Sequence, residues 1–176
     1  MKMKILALIL VVLLPVLAVT ATYATKPTIG TGTATLVSST KISSRPAGDN
    51  TIATFKNTFQ LTGALTGQAV ALERDVTHAS GDKSFTTFQG EANFTSTAGE
   101  ASSGTLQIHY VGINNGTFVH GQFVAGQGTG SLADFHGQGE FSGKVVIVGE
   151  GGMQLVLNYT LKWHIDPAAV RTKHSA

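Results

Sequence analysis

The sequence predicts an all-β protein: a single eight-stranded antiparallel meander β-barrel behind an N-terminal signal peptide. Three observations lead there. Apolar and polar residues alternate in period two almost throughout, the pattern of strands with one buried and one wet face. Turn-forming clusters (SRPAGDN, GALTG, ASGDK, STAGEASSG, NNG and GEGG) separate the alternating runs at short spacing. No helical periodicity of useful length follows the first 24 residues. About eight such strands are most economically closed into a barrel, which also removes exposed edges, with a two-sheet sandwich as the alternative.

The chain opens with MKMK, an apolar run from Ile5 to Val19, and small-residue cleavage sites after Ala21 or Ala24. That is the layout of a secretory signal peptide. An uncleaved anchor is the alternative, but Pro15 interrupts the run and it falls short of the roughly 20 residues a spanning helix needs. The expected organisation is residues 1–24 as signal peptide, 25–30 as polar leader, 31–166 as barrel and 167–176 as disordered tail. The implied location is secreted or extracytoplasmic, with no membrane attachment after cleavage. Twelve basic residues oppose ten acidic ones; without Lys2 and Lys4 the balance is ten to ten. A neutral chain with no basic run gives no electrostatic reason to bind nucleic acid. It has no cysteine, so neither a disulfide framework nor a lipid-modified cysteine can form.

The strands follow in order. TGTATLVS supplies the first. ATFKNTFQLTG sets Phe55, Phe59 and Leu61, with Asn57, against Lys56, Thr58 and Gln60. In GQAVALERDVT, Val70, Leu72 and Val76 share a face that carries Arg74. FTTFQGEANFT sets Phe88, Ala92 and Phe94 against Thr87, Gln89, Glu91 and Asn93. GTLQIHYVG sets Leu106, Ile108 and Tyr110 against Gln107 and His109. TFVHGQFVA and FHGQGEFSGKVVIVG come next. The last strand, MQLVLNYTLKWH, sets Leu155, Leu157, Tyr159, Leu161 and Trp163 against Gln154, Asn158, Lys162 and His164. The fifth and sixth strands meet at INNG. A two-residue turn there puts Leu106, Ile108 and Tyr110 on one face with Val119, Gly121 and Phe123, and His109 beside His120 on the other.

Candidate chemistry is sparse. GTGSLA fits the dinucleotide pattern G-x-G-x-x-A from Gly128, but the following HGQGEFSG cannot sustain a helix, and Glu150, 20 residues after Gly130, falls in a turn. The glycines Gly128, Gly130, Gly137 and Gly139 therefore read as backbone geometry for joining two strands. His109 and His120 could begin a metal site, yet no carboxylate joins them in that hairpin, so no metal is expected. Glu73 and Asp75 project from one side of their strand and Arg74 from the other. If Val70 and Leu72 face inward, Arg74 enters the barrel; if Ala69 and Ala71 do, Glu73 enters. Either charge would need a partner or a ligand. Paired acids on one strand face are common surface features, so a two-carboxylate hydrolase is disfavoured. No G-x-S-x-G element is present, and Asn93, Asn115 and Asn158 begin glycosylation sequons.

GTGSLADFHGQGEF resembles the motif G-T-G-x-[L/F]-x-x-h-x-G-x-G/h-x-F, where h is apolar, of the allene oxide cyclase-like barrels. That superfamily includes plant allene oxide cyclases, dirigent proteins and a bacterial family of unknown function, DUF3224, to which the chain is most similar. ALERDVTHASGDKSF, at Leu72 to Arg74, is similar to that family's L-E-R-V-like strand. The segment from Phe88 to Gly128 is longer than the family spacing, as though the INNG hairpin were extended. The resemblance implies an eight-stranded barrel whose cavity holds a small apolar molecule, without cofactor. No catalytic residue transfers by position, and kinship of fold does not establish chemistry.

The expected role is binding a small hydrophobic or amphipathic molecule, with Asn57, Glu73, Arg74, Tyr110, Tyr159 and Trp163 as candidate contacts. A cofactor-independent cyclase or isomerase is the alternative, and a ligand-free surface module the second; the enzyme reading is the less favoured. Oligomerisation is compatible with the sequence.

Overall fold

In a computed structural model, residues 26–80, 83–99, 103–148 and 152–166 are described. The expected signal peptide with its cleavage sites, the expected tail, and parts of the ASGDK, STAGEASSG and GEGG turns lie outside them. The described chain is all-β, with one 3-10 turn at Gly130–Leu132. Eight strands run β1 (Thr28–Ala47), β2 (Asn50–Gly63), β3 (Gly67–Ser80), β4 (Lys83–Ser96), β5 (Thr105–Asn114), β6 (Phe118–Gly126), β7 (Phe135–Val148) and β8 (Gly152–Ile165). Each pairs antiparallel with the next, and β1 pairs with β8, so the sheet closes as an up-and-down barrel. Thr28 to Gly30, expected in the leader, belong to β1 and pair with Trp163, Lys162 and Leu161.

β1 does two jobs. Its first part, to Thr35, closes the barrel against β8. Beyond two bulges, which leave Val37 and Ile42 unpaired and exposed, it continues along β2 to Ala47 and leaves β8 behind. A bulge bends a strand and sharpens its twist, which is what a strand departing from a closed wall requires.

One face runs against its hydrophobicity. In β3 it is Ala69 and Ala71 that are buried, while Val70 and Leu72 point to solvent, Leu72 being 57% exposed. The cross-strand register explains this: Ala69 lies between Phe59 on β2 and Phe94 on β4, so two large rings fill the space that a third large side chain would need. Arg74 therefore faces outward and Glu73 inward, which decides between the two faces that the sequence left open.

The INNG hairpin keeps the expected sorting of faces but not the expected turn. Asn114 pairs with Val119, so four residues make the connection, and the Asn115 side chain accepts hydrogen bonds from the Thr117 and Phe118 amides. His109 then lies opposite Val124, and His120 opposite Ile113. The four-residue offset separates the two imidazoles by roughly 13 Å along the strands, so they do not begin a site together. His109 instead meets Glu91 at 3.4 Å.

The core is concentrated at the end of the barrel carrying the β2–β3, β4–β5 and β6–β7 connections. Phe94, Leu106, Phe135 and Leu161 are buried there, and Leu65 from the β2–β3 connection sits over them. Tyr159 fastens that lid: its hydroxyl accepts from the Leu65 amide at 2.8 Å and faces the carbonyls of Thr62 and Leu65 at 3.0 and 3.2 Å. Toward the opposite end the interior side chains become only partly buried, among them Phe55, Phe88, Phe141 and Leu155.

Candidate functional site in the barrel lumen

Above the packed floor the barrel holds a partly open cavity of about 220 Å³. Its lower wall is apolar, with Leu61, Leu65, Ala69, Ala92, Ile108 and Phe123; Asn57, Glu73, Asp75 and Tyr110 face it from higher up. At about 30 Å³ per water, the volume corresponds to roughly seven waters or one compact organic molecule.

The register gathers these four groups. Glu73 pairs with Gly90, and Gly90 on its other side pairs with Tyr110. A Cβ at Gly90 would lie 2.3 Å from Tyr110 Cζ, so only glycine lets the ring lie across β4 with its hydroxyl toward Glu73. Phe88 lies over Gly112, Phe141 over Gly121, and Tyr159 over Gly32 in the same manner. On the other side of β3, Asn57 Nδ2 donates to Glu73 Oε1 at 2.8 Å. Asp75, two residues on, points the same way as Glu73.

Burial dominates the electrostatics. The Glu73 carboxyl is pushed up to about 7, first by desolvation and then by the neighbouring Asp75 charge, with Tyr110 and Asn57 partly opposing. Burial raises Asp75 to about 6. Tyr110 is raised by burial and by the Glu73 charge, and so remains a neutral phenol. No salt bridge reaches Glu73 or Asp75 among the described residues. Among the described residues three buried atoms meet no protein partner within strict hydrogen-bond geometry: Asn57 Oδ1, Asp75 Oδ1 and the Tyr110 hydroxyl oxygen, the last near enough to the Glu73 carboxyl to favour its ionised form. A buried polar atom left with no partner at all costs on the order of 1–3 kcal/mol, so these three draw their partners from water or a ligand in the adjoining cavity.

The six sequence candidates divide. Asn57, Glu73, Tyr110 and Tyr159 line the cavity, although the Tyr159 hydroxyl is engaged with the floor lid. Arg74 stands exposed on the outer wall. Trp163 lies at the closed end, stacked on Phe135 at 6.4 Å, and does not line the cavity. Asp75 and Gly90 were not among the candidates. The signal for Asp75 was its two-residue spacing from Glu73, which obliges both to share a face; the signal for Gly90 was a glycine at an inward position of an otherwise Phe-rich strand.

The glycine motif serves the wall. Gly130 adopts φ +60°, and a Cβ there would meet the Ser103 carbonyl at 2.4 Å; Gly128 is packed as tightly against the Leu132 carbonyl. Gly139 lies beneath Phe123, and Gly137 beneath Phe135 and Leu161. His136 and His164, for which the sequence suggested no partners, stack at 5.4 Å on the outer surface and share the Asp166 carboxylate at 3.5 and 3.3 Å. Among the described residues no group of three or more His, Asp or Glu side chains is arranged to hold a metal ion.

A scan against protein-family models finds no match for this chain, and no curated protein matches it.

Proposed function

We propose that the protein binds a small amphipathic molecule in its barrel lumen, apolar body on the floor and polar head at Asn57, Glu73, Asp75 and Tyr110. One observation carries the reading: three buried polar atoms without a partner from the protein face a cavity whose floor is apolar and whose upper wall also carries Ser39, Thr86 and Asn114. The eight-stranded meander is compatible with membership of the allene oxide cyclase-like barrels, and the leader sequence with a role outside the cytoplasm. The balanced charge supports neither nucleic acid nor an anionic surface as partner. The reading requires no cofactor.

Catalysis is the second reading. A carboxyl near neutrality beside a phenol is equipped to move a proton in a confined cavity, as a cyclase or isomerase requires. Native mass spectrometry after incubation with a small-molecule extract separates the two. Binding predicts retained compounds recovered unaltered, and their loss in Ala34→Phe, which fills the lumen wall. Recovery of an isomer would favour the enzyme. Equal retention by both proteins would place the ligand outside the lumen and end both readings.

A further inference from the structure

We propose that the head group selected by this lumen is an organic ammonium, carried by a small primary amine with an apolar or aromatic body. The inference rests on the lumen-binding reading and names its ligand class.

The chemistry of the orphaned atoms carries it. Asn57 has already spent an amide N–H on Glu73, and what it presents without a partner is its carbonyl oxygen, on a side chain only 4% exposed. Asp75 Oδ1 is an acceptor whenever the acid is ionised, and the Tyr110 oxygen can accept as well as donate. With both acids ionised, acceptors outnumber donors among these four groups, while Ser39, Thr86 and Asn114 line the cavity beside them. An ammonium brings three N–H donors and a positive charge, meeting both deficits at once. A carboxylate or phosphate would add acceptors and negative charge to a site holding two acids. Among the described residues no cation forms a salt bridge with either acid: Arg74 points outward, and the Lys41 ammonium lies 5.9 Å over the ring of Phe55, the cross-strand neighbour of Glu73. The apolar floor favours an organic cation over a metal ion, because a hydrated ion would leave that wall uncovered.

The titratable groups facing Glu73 are Asp75 on its own strand and Tyr110 from β5; β2 presents Phe55 and Asn57, and β4 presents Gly90 and Phe88. Both acids lose their protons near neutrality, so an amine that needs them ionised binds more tightly as pH rises through that range and displaces a proton when it enters.

Isothermal titration with benzylamine, benzyl alcohol and benzoate, three probes of one size, tests this. At about pH 8 benzylamine should bind at least tenfold more tightly than the alcohol, with benzoate weakest. Its affinity should rise from about pH 5 to about pH 8 while that of the alcohol stays flat. The doubly neutralised variant E73Q/D75N should bring amine and alcohol to within about threefold. If that variant does not fold, D75N alone should still narrow the gap. Equal amine and alcohol affinities, a preference for benzoate, or displacement of the amine by Mg²⁺ or Ca²⁺ would overturn the ammonium inference and leave lumen binding standing. Failure of all three probes to bind or to shift the Ile108 and Tyr110 NMR signals would overturn lumen binding as well.

Discussion

The two ends of the barrel are built from the same strands and answer to different physics. At the closed end Phe94, Leu106 and Leu161 are buried, and the polar atoms brought in with Tyr159 and Leu65 bond to one another. Four or five residues along the same strands, the interior holds two acids, a phenol and an amide, three of whose atoms meet no partner within strict hydrogen-bond geometry among the described residues. The contrast shows where stability is made and where it is given up. A barrel of this size can be filled by its own side chains, and here the filling stops part-way. What replaces it is a polar cluster facing a cavity, whose buried atoms must find their partners in water or in a molecule bound there.

The largest effect should come from the closed end. Phe94→Ala should cost about 3–5 kcal/mol in chemical denaturation, because the ring has no solvent-facing side from which the cavity could relax. The same truncation at half-buried Phe55, beside the acids, should cost less than half as much. Equal losses would erase the distinction between the ends. Next is Gly130→Val in the β6–β7 connection. The left-handed backbone and the Ser103 carbonyl both exclude a β-branched side chain, so a loss of about 2 kcal/mol or more is expected in a thermal melt.

The mouth should announce itself through pH. Glu73 has a folded value of about 7 against 4.5 for the free group, and Asp75 about 6 against 3.8. A carboxyl raised on folding binds more protons in the native state, so its stabilising contribution is complete below the unfolded value and lost as pH climbs through the folded one. Stability should therefore fall between about pH 3.8 and about pH 7, by on the order of 2 kcal/mol after allowance for solvent screening. In E73Q/D75N the decline should flatten, with the variant the more stable of the two at about pH 8. A wild-type curve without that slope would mean that the acids are solvated and the cluster is not a buried site.

Much of the closed end was legible in sequence. The alternation of β2, β4, β5 and β8 places Leu61, Phe94, Leu106 and Leu161 inward because each is a large apolar residue on a face that is apolar at that end of its strand. The mouth was less so. In β3 the more hydrophobic face is the outer one, and what decides the matter is the size of Phe59 and Phe94 on the neighbouring strands. That is a cross-strand volume constraint, invisible to any window along one strand. The His109–His120 pairing failed for a related reason: the number of residues in the connection, not the identity of the turn dipeptide, sets the offset between strands.

The smallest effect is expected one residue from the centre of the site. Arg74 and Glu73 are chain neighbours on opposite sides of the wall, and a one-residue slip of β3 would exchange them. Arg74 is exposed and makes no salt bridge among the described residues, so Arg74→Ala should change stability by no more than about 0.5 kcal/mol. It should also leave the pH dependence of stability untouched, whereas Glu73→Gln should reduce it. The pair of measurements reads the register of β3 directly. If Arg74→Ala were the variant that destabilised the protein or altered its pH profile, the inner face of β3 would be the Val70–Leu72–Arg74 face, and the acid cluster would belong to the outside of the barrel.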